Sequence, residues 1–342
     1  MKLTSLALGC LALALCRLTA PAQENSPTMK QDAHRIALAV HGGAGTIERD
    51  QMTPEREREY RAGIENALRA GREILERDGS SLDAVEAAVR VLEDDPHFNA
   101  GKGSVFTSAG TNEMDAAIMN GETLSAGAVA CVKHVRNPIV LARAVMEKSK
   151  HVMMVGGGAE EFAKDNGIGL VDAKYFFTQR RWEELQKKKA EQAGADGGEK
   201  FITDADGHGT VGAVARDSQG NLAAATSTGG TTNKLPGRVG DSPVIGAGTY
   251  ASNATCAVSC TGDGEFFIEA TVAHQVSALM ELRGMPLAEA AERALADSQK
   301  LGGTGGLIAV DKNGNVALPF NTSGMYRGYL GENGKFVIEI YK

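Results

Sequence analysis

One junction restricts this 342-residue chain more than any other feature: His208-Gly209-Thr210-Val211-Gly212-Ala213-Val214-Ala215. A polar, glycine-containing connection runs there straight into an apolar, β-branched segment, which is the pattern of a strand entered from a loop. Upstream, residues 187–209 are dominated by Lys, Glu, Asp, Gly and Ala, too polar to bury the apolar surface that ordering requires. Downstream, Thr210 to Arg216 and Leu222 to Ser227 flank Asp217-Ser218-Gln219-Gly220-Asn221 and predict a hairpin. A threonine at a strand start is ordinarily a β-prone residue and nothing more. Here it stands between an unstructured lead and a core hairpin.

That placement suits self-cleavage. If the Gly209–Thr210 bond breaks, Thr210 gains a free α-amine beside its own hydroxyl. A threonine hydroxyl is a poor nucleophile until a base takes its proton, and an N-terminal amine can be that base. The reference pKa of such an amine, about 7.7–8.0, leaves a useful fraction unprotonated near neutrality. One residue then supplies nucleophile and base, as in an N-terminal nucleophile hydrolase.

The first 22 residues are a separate matter. Lys2, the uncharged run Leu3 to Leu15 and the small-x-small site Ala20-Pro21-Ala22 predict a secretory signal peptide, hence a periplasmic or secreted protein. Arg17 ends the run short of the ~20 apolar residues a membrane span needs. A lipid anchor is disfavoured, because Cys10 lies very early and Cys16 follows Leu15 rather than a small residue. Removing the segment takes away two cations and no acid, leaving 34 basic against 43 acidic residues, a charge of −9. So acidic a protein is a poor partner for nucleic acid or an anionic membrane. Cys131, Cys256 and Cys260 remain; on a strand the last two would stand about 13 Å apart, too far for a disulfide.

Along the rest of the chain, local signals predict alternating helices and short strands. The apolar run from Arg35 to Val40 delivers the loop His41-Gly42-Gly43-Ala44-Gly45, which lacks the spacing of a dinucleotide fingerprint. Thr53-Pro54 opens a helix carrying Tyr60, Ile64, Ala67, Leu68, Gly71, Ile74 and Leu75 at helical spacing, and Gly79 ends it. Ser80-x-x-Asp83 opens a second, with Leu82, Val85, Ala88, Val89 and Leu92 on one face. Gly127 to Val132 and Val152 to Val155 read as buried strands around a helix from Pro138 to Lys148. Val155-Gly156-Gly157-Gly158-Ala159-Glu160 has neither the spaced glycines nor the Gly-Lys-Ser/Thr of a phosphate loop. Cys256 to Cys260 is a strand, Glu269 to Met280 and Pro286 to Gln299 are helices, and Leu307 to Val310 with Val316 to Phe320 form another hairpin. No histidine or cysteine has metal-site spacing.

Two stretches carry chemistry beside Thr210. The loop from Lys234 to Pro243 holds Arg238 and Asp241 three residues apart. An exposed salt bridge between them would be worth little. A small zwitterion uses both, Arg238 gripping an α-carboxylate and Asp241 taking an α-ammonium. Leu92 to Lys102 clusters acids before Pro96, by itself the mark of a solvated helix end.

Several motifs in order now resemble the plant-type L-asparaginase and isoaspartyl peptidase family. They are Thr210 to Ala215, Ala225 to Gly230, Asn233 to Pro243, Ser259 to Gly262, His41 to Gly45, Phe98 to Gly101, Gly302 to Gly306 and Pro319 to Thr322, spanning nearly everything after residue 34. The resemblance implies an α+β fold, a four-layer αββα sandwich, cut before Thr210 into chains 23–209 and 210–342. It implies that Thr228 hydrogen-bonds Thr210, that Asn99 positions the nucleophile region, and that the Thr261 hydroxyl and Gly262 amide form an oxyanion hole. Arg238, Asp241, Thr261, Gly262 and Gly264 would hold substrate, an isoaspartyl dipeptide or L-asparagine; Asp263 departs from the small or hydroxylated residue expected there. It further implies a dimer of processed pairs, no catalytic cofactor, and a structural sodium ion on the main-chain carbonyls of Leu92, Glu93, Asp95, Phe98, Ala100 and Lys102. The rivals are a glycosylasparaginase, whose usual His-Asp-Thr is here His208-Gly209-Thr210, a non-catalytic amino-acid-binding protein, and, more distantly, a nucleotide-binding α/β enzyme.

Overall fold

The computed structural model describes residues 35–194, 209–331 and 333–342; the expected signal segment, His208 and most of the polar lead before Gly209 lie outside the described residues. The first part of the chain gives β1 (Ala37–Gly45), α1 (Pro54–Leu75), α2 (Ser81–Asp94), β2 (Met114–Asn120), β3 (Ala126–Val132), α3 (Pro138–Lys148), β4 (Met153–Val155), α4 (Gly156–Asp165) and α5 (Gln179–Gly194). After Gly209 follow β5 (Thr210–Arg216), β6 (Leu222–Thr228), β7 (Thr249–Ala251), β8 (Cys256–Gly262), α6 (Gly264–Glu269), α7 (Val272–Arg283) and α8 (Leu287–Leu301). The chain closes with β9 (Gly305–Asp311), β10 (Val316–Ala317), β11 (Gly324–Leu330) and β12 (Phe336–Tyr341).

Local chemistry sets the first helices where the sequence places them. The Thr53 hydroxyl accepts from Arg56 N at 3.2 Å with Pro54 in the first turn, and Ser80 accepts from Asp83 N at 3.1 Å while donating to its carboxylate at 2.7 Å. Each such cap is worth about 1 kcal/mol. The buried faces of α1 and α2 then cover a sheet ordered β12-β11-β1-β5-β6-β2-β3-β4, sharing one apolar core with Leu38, Val40, Val211, Ala213 and Ala215. A second sheet, β10-β9-β8-β7, packs Cys256, Val258, Cys260 and Leu307 against Val276 and Leu295 of α7 and α8. The two sheets meet through a third cluster that includes Ala37, Ala39, Val214, Ala224, Ala257 and Val310. Alternation along β5 explains why all seven of its residues are buried: odd positions face the helices and Val214 faces the other sheet.

Several expectations change. Residues 187–194, expected to be unordered, continue α5, because Leu185 is buried and Trp182 sits edge-on to Phe106, anchoring a helix whose polar tail follows. β4 is an edge strand rather than a buried one, with Met153 41% and Val155 58% exposed. The helix expected from Glu269 to Met280 is two helices, broken at Thr271, which adopts a left-handed conformation (φ 48°, ψ 47°). Of the hairpin expected from Leu307 to Val310 and Val316 to Phe320, the first arm lies within β9, while the second keeps only Val316–Ala317 as strand, with Phe320 making an isolated bridge to Gly306. Cys131, Cys256 and Cys260 are free thiols, and no helix among the described residues is long and apolar enough to cross a membrane.

Candidate active site

Thr210 begins β5 directly opposite Thr228 at the end of β6, so the hairpin register brings the two hydroxyls together. Thr210 Oγ1 donates to Thr228 Oγ1 at 3.2 Å, and Thr228 Oγ1 donates to the carbonyl oxygen of Gly209 at 3.3 Å. Gly230 N fixes the Thr228 hydroxyl from behind at 3.0 Å. These hydroxyl contacts are long, as catalytic hydrogen bonds often are before a reactive complex tightens them. The glycine-rich stretch from His41 to Gly45, expected as a loop, is the bulged end of β1 paired with β11, and it lies against the same peptide. Gly43 has φ 112°, and a Cβ there would stand 2.7 Å from Gly209 Cα and 3.3 Å from Thr210 N. Asn99 presses from the other side: its amide donates to Gly230 O at 2.6 Å, its oxygen accepts from Val105 N at 2.9 Å, and a Cβ on Gly209 would come 2.8 Å from its own Cβ.

A cavity of about 10 Å³ opens beside Thr210, lined by Gly209, Thr210, Thr228, Gly230, Thr231, Arg238, Gly240, Asp241, Ser242 and Gly262. Arg238 and Asp241 share this cavity without forming the salt bridge with each other that the loop spacing allows. Arg238 makes a two-pronged pair with Glu265, Nε to Oε1 at 2.8 Å and Nη2 to Oε2 at 2.7 Å. Glu265 therefore occupies the arginine fork as a substrate carboxylate would, and it is itself half exposed. Asp241 is buried with Oδ2 lacking any hydrogen-bond partner. Burial pushes its carboxyl up to about 7, although Arg238 pulls the other way. A buried acceptor left open is costly unless something else fills it.

Gly262 and Gly264 have tight surroundings. Gly262 pairs with Gly305, and with φ 148° a Cβ there would meet Thr304 O at 2.3 Å. Gly264 opens α6 behind Asp241, 3.0 Å being left for a Cβ against Asp241 Oδ1, so it backs the pocket without lining it. Thr261 is buried and its hydroxyl accepts from Ala44 N at 3.3 Å, which leaves its own proton to donate. Asp263, the odd residue of this motif, accepts at one oxygen from both Thr304 N and Thr304 Oγ1 at 2.8 Å, tying the turn to the start of β9.

The acidic stretch around Pro96 is a solvated helix end only in part: Asp94 and Asp95 are half-buried and Pro96 is exposed. Leu92, Glu93, Phe98, Asn99 and Ala100 are buried. Glu93 accepts from Ser227 Oγ at 2.7 Å and Ile139 N at 3.0 Å, and burial lifts its carboxyl to about 8. No cluster of three or more His, Cys, Asp or Glu able to hold a metal is present among the described residues. The sodium expectation rests on carbonyls instead. Leu92 and Glu93 belong to the last turn of α2, where carbonyls lack intrahelical donors. Two glycines let the loop close on itself: a Cβ at Gly101 would meet Glu93 O at 2.3 Å, and one at Gly103 would meet Phe98 O at 2.0 Å. Oxygens so gathered suit a hard cation. The Lys102 ammonium is turned away, 5.4 Å from the Tyr175 ring centre.

Three groups escaped the sequence reading. Glu265 was invisible as a partner of Arg238 because the contact spans 27 residues. His41 was seen only as part of a motif; it is fully buried, its Nε2 lies 2.9 Å from Ser259 Oγ, and burial lowers it to about 3, so it is neutral. Ser259, Thr226 and Thr249 continue that chain of hydroxyls at 2.7 and 2.6 Å to the carbonyl of Ser242 beside Asp241. The third is Lys234, buried, donating to Glu113 O at 2.8 Å with Asp115 at 3.8 Å.

A threonine hydroxyl turned toward a carbonyl through a second hydroxyl, with a cation and an unpaired carboxylate in the same cleft, is the equipment of a hydrolase. Residues 34–339 match the model of the asparaginase family, and the chain belongs to that family. It is 54% identical to the isoaspartyl peptidase of Salmonella typhimurium over 87% of this chain and 97% of that protein. It is 46% identical to the isoaspartyl peptidase/L-asparaginase of Mus musculus over 85% of this chain and 86% of that one. The plant-type L-asparaginase of Pyrococcus furiosus is 44% identical, over 88% and 98%.

Proposed function

We propose that this chain is a self-cleaving threonine amidohydrolase that releases L-aspartate from isoaspartyl dipeptides and L-asparagine. The observation that carries the reading is the Thr228 hydroxyl, which accepts from Thr210 Oγ1 and donates to Gly209 O. As Thr210 Oγ attacks the Gly209 carbonyl, Thr228 is placed to take its proton and to pass its own to the carbonyl oxygen. Collapse breaks the C–N bond and leaves an ester, an N-to-O acyl shift that water opens to chains 23–209 and 210–342. In turnover the freed amine of Thr210 takes the hydroxyl proton as the oxygen attacks the side-chain carbonyl of the bound aspartyl group. Thr261 and the Gly262 amide would hold the oxyanion, worth about 10² to 10³ in rate per donor. Ammonia or an amine leaves with a proton, and water resolves the β-aspartyl ester. Arg238, once released by Glu265, takes the α-carboxylate, and Asp241 takes the α-ammonium.

The three apolar clusters support an order of helix, sheet, sheet, helix, hence a four-layer αββα sandwich. A sodium ion on the carbonyls of Leu92, Glu93, Asp95, Phe98, Ala100 and Lys102 would brace Asn99 and take no part in bond making. The signal-like segment supports a periplasmic or secreted enzyme, and family resemblance supports a dimer of processed pairs.

Steady-state kinetics with β-Asp-Leu, L-asparagine and a glycoasparagine on processed protein test the assignment. The first two are expected to be substrates and the third not; turnover of glycoasparagine alone would hand the function to the glycosylasparaginase rival. Gly43→Ala is expected to slow processing at least tenfold by gel densitometry. Its φ disfavours a side chain, and the methyl would push on Gly209 Cα. Wild-type processing in that variant would remove Gly43 from the cleavage geometry.

A further inference from the structure

We infer that a second cavity, which reaches the site at Gly209, receives the leaving half of the isoaspartyl dipeptide, and that its cations recognise the free carboxylate of that half. The inference rests on the isoaspartyl reading above. Gly209 lines both this cavity, about 310 Å³, and the small aspartyl pocket, so in the uncleaved chain one residue stands as the wall between them. With the aspartyl group held at Arg238 and Asp241, its scissile bond lies at Thr210. The released amine then lies toward the side from which Gly209 has withdrawn.

That side is strongly positive in a protein whose net charge is −7. Among the described residues Arg56, Arg180, Arg181 and Lys187 line it, with His97, against Glu48 and Glu184, and Glu184 is held by Arg181 at 2.8 Å. Tyr60 forms its floor, stacked on Tyr326 with ring centres 4.1 Å apart and accepting from Arg180 Nη1 at 2.8 Å. Burial raises the Tyr60 phenol, yet Arg180, Arg181 and Arg56 outweigh it and its pKa lies below the usual phenol range. The same cations, which pull against burial at the phenol, favour a carboxylate placed beside them. Of the two substrate types, only the dipeptide leaves with one; L-asparagine leaves as ammonia.

The test is steady-state kinetics of processed wild type and an Arg56→Gln/Lys187→Gln double variant with β-Asp-Leu, its C-terminal amide and L-asparagine. Arg56 and Lys187 are exposed, so their replacement leaves the core intact. Wild type is expected to prefer the free acid over the amide about tenfold in kcat/KM, mostly through KM, the worth of one charge-assisted contact. The double variant is expected to lose that preference and to treat the amide and L-asparagine as wild type does. Equal use of acid and amide by wild type, an undiminished preference in the variant, or equal slowing on all three substrates would each overturn the inference. Turnover of L-asparagine with none of β-Asp-Leu would remove the isoaspartyl reading as well. Slower self-cleavage with unchanged KM values would assign the cations to the precursor and overturn the leaving-group role.

Discussion

Replacing Thr210 by alanine is expected to leave a single uncut chain with hydrolysis reduced on the order of 10⁴-fold or more, the scale seen when a nucleophile is removed. Both losses trace to one oxygen. Thr210 Oγ1 is linked through Thr228 to the Gly209 carbonyl, and Thr210 also lines the small cavity that holds Arg238 and Asp241, where the proposed substrate would sit. The fold is expected to survive, since Thr210 contributes one methyl and one hydroxyl to a strand whose seven-residue register with β6 and further pairing with β1 hold it in place. Denaturing gels and an ammonia-release assay read the two outcomes together. An uncut but active Thr210→Ala protein would exclude the N-terminal amine as base, and a cut, inactive one would separate processing from the hydroxyl. A non-catalytic amino-acid-binding protein would lose nothing in this variant.

The second large effect is expected at Asp241. Asp241→Asn should cost about 10² or more in kcat/KM, because removing one partner of a buried charge pair typically costs about 2–5 kcal/mol. Self-cleavage involves no ammonium and is expected to proceed. The pH profile carries the sign. Asp241 is raised to about 7, so as the pH falls through that value the free enzyme gains a proton and loses the anion that pairs with the substrate. The Thr210 amine, with a reference pKa of about 7.7–8.0, must likewise be unprotonated to act as base. On the acid side log kcat/KM is therefore expected to rise with a slope near two for wild type and near one for Asp241→Asn. Equal slopes would show that Asp241 does not titrate in the working range.

Much of this arrangement was legible in the sequence because the signals are local. Thr53-Pro54 and Ser80-x-x-Asp83 cap helices through neighbours three residues away, and the hairpin that pairs Thr210 with Thr228 needs only its turn. Arg238 and Asp241 were recognisable as a pair of opposite charges on an irregular loop. What composition could not reveal was tertiary. The polar residues after Lys187 stay helical because Trp182 and Leu185 are anchored by elements far away in sequence. Glu265 holds the arginine fork across 27 residues, and Gly43 meets Gly209 from the far end of the chain. Thr271 breaks a continuous apolar pattern by a backbone conformation that no periodicity announces. The acids near Pro96 looked solvated by type, yet Glu93 is enclosed by Ser227 and Ile139.

The most direct measurement is intact mass with N-terminal sequencing of the active, purified protein. The smaller piece is predicted to begin at Thr210 and to run to Lys342 with a free amine. An active protein that is one continuous polypeptide, or a smaller piece that begins at any other residue, would contradict it.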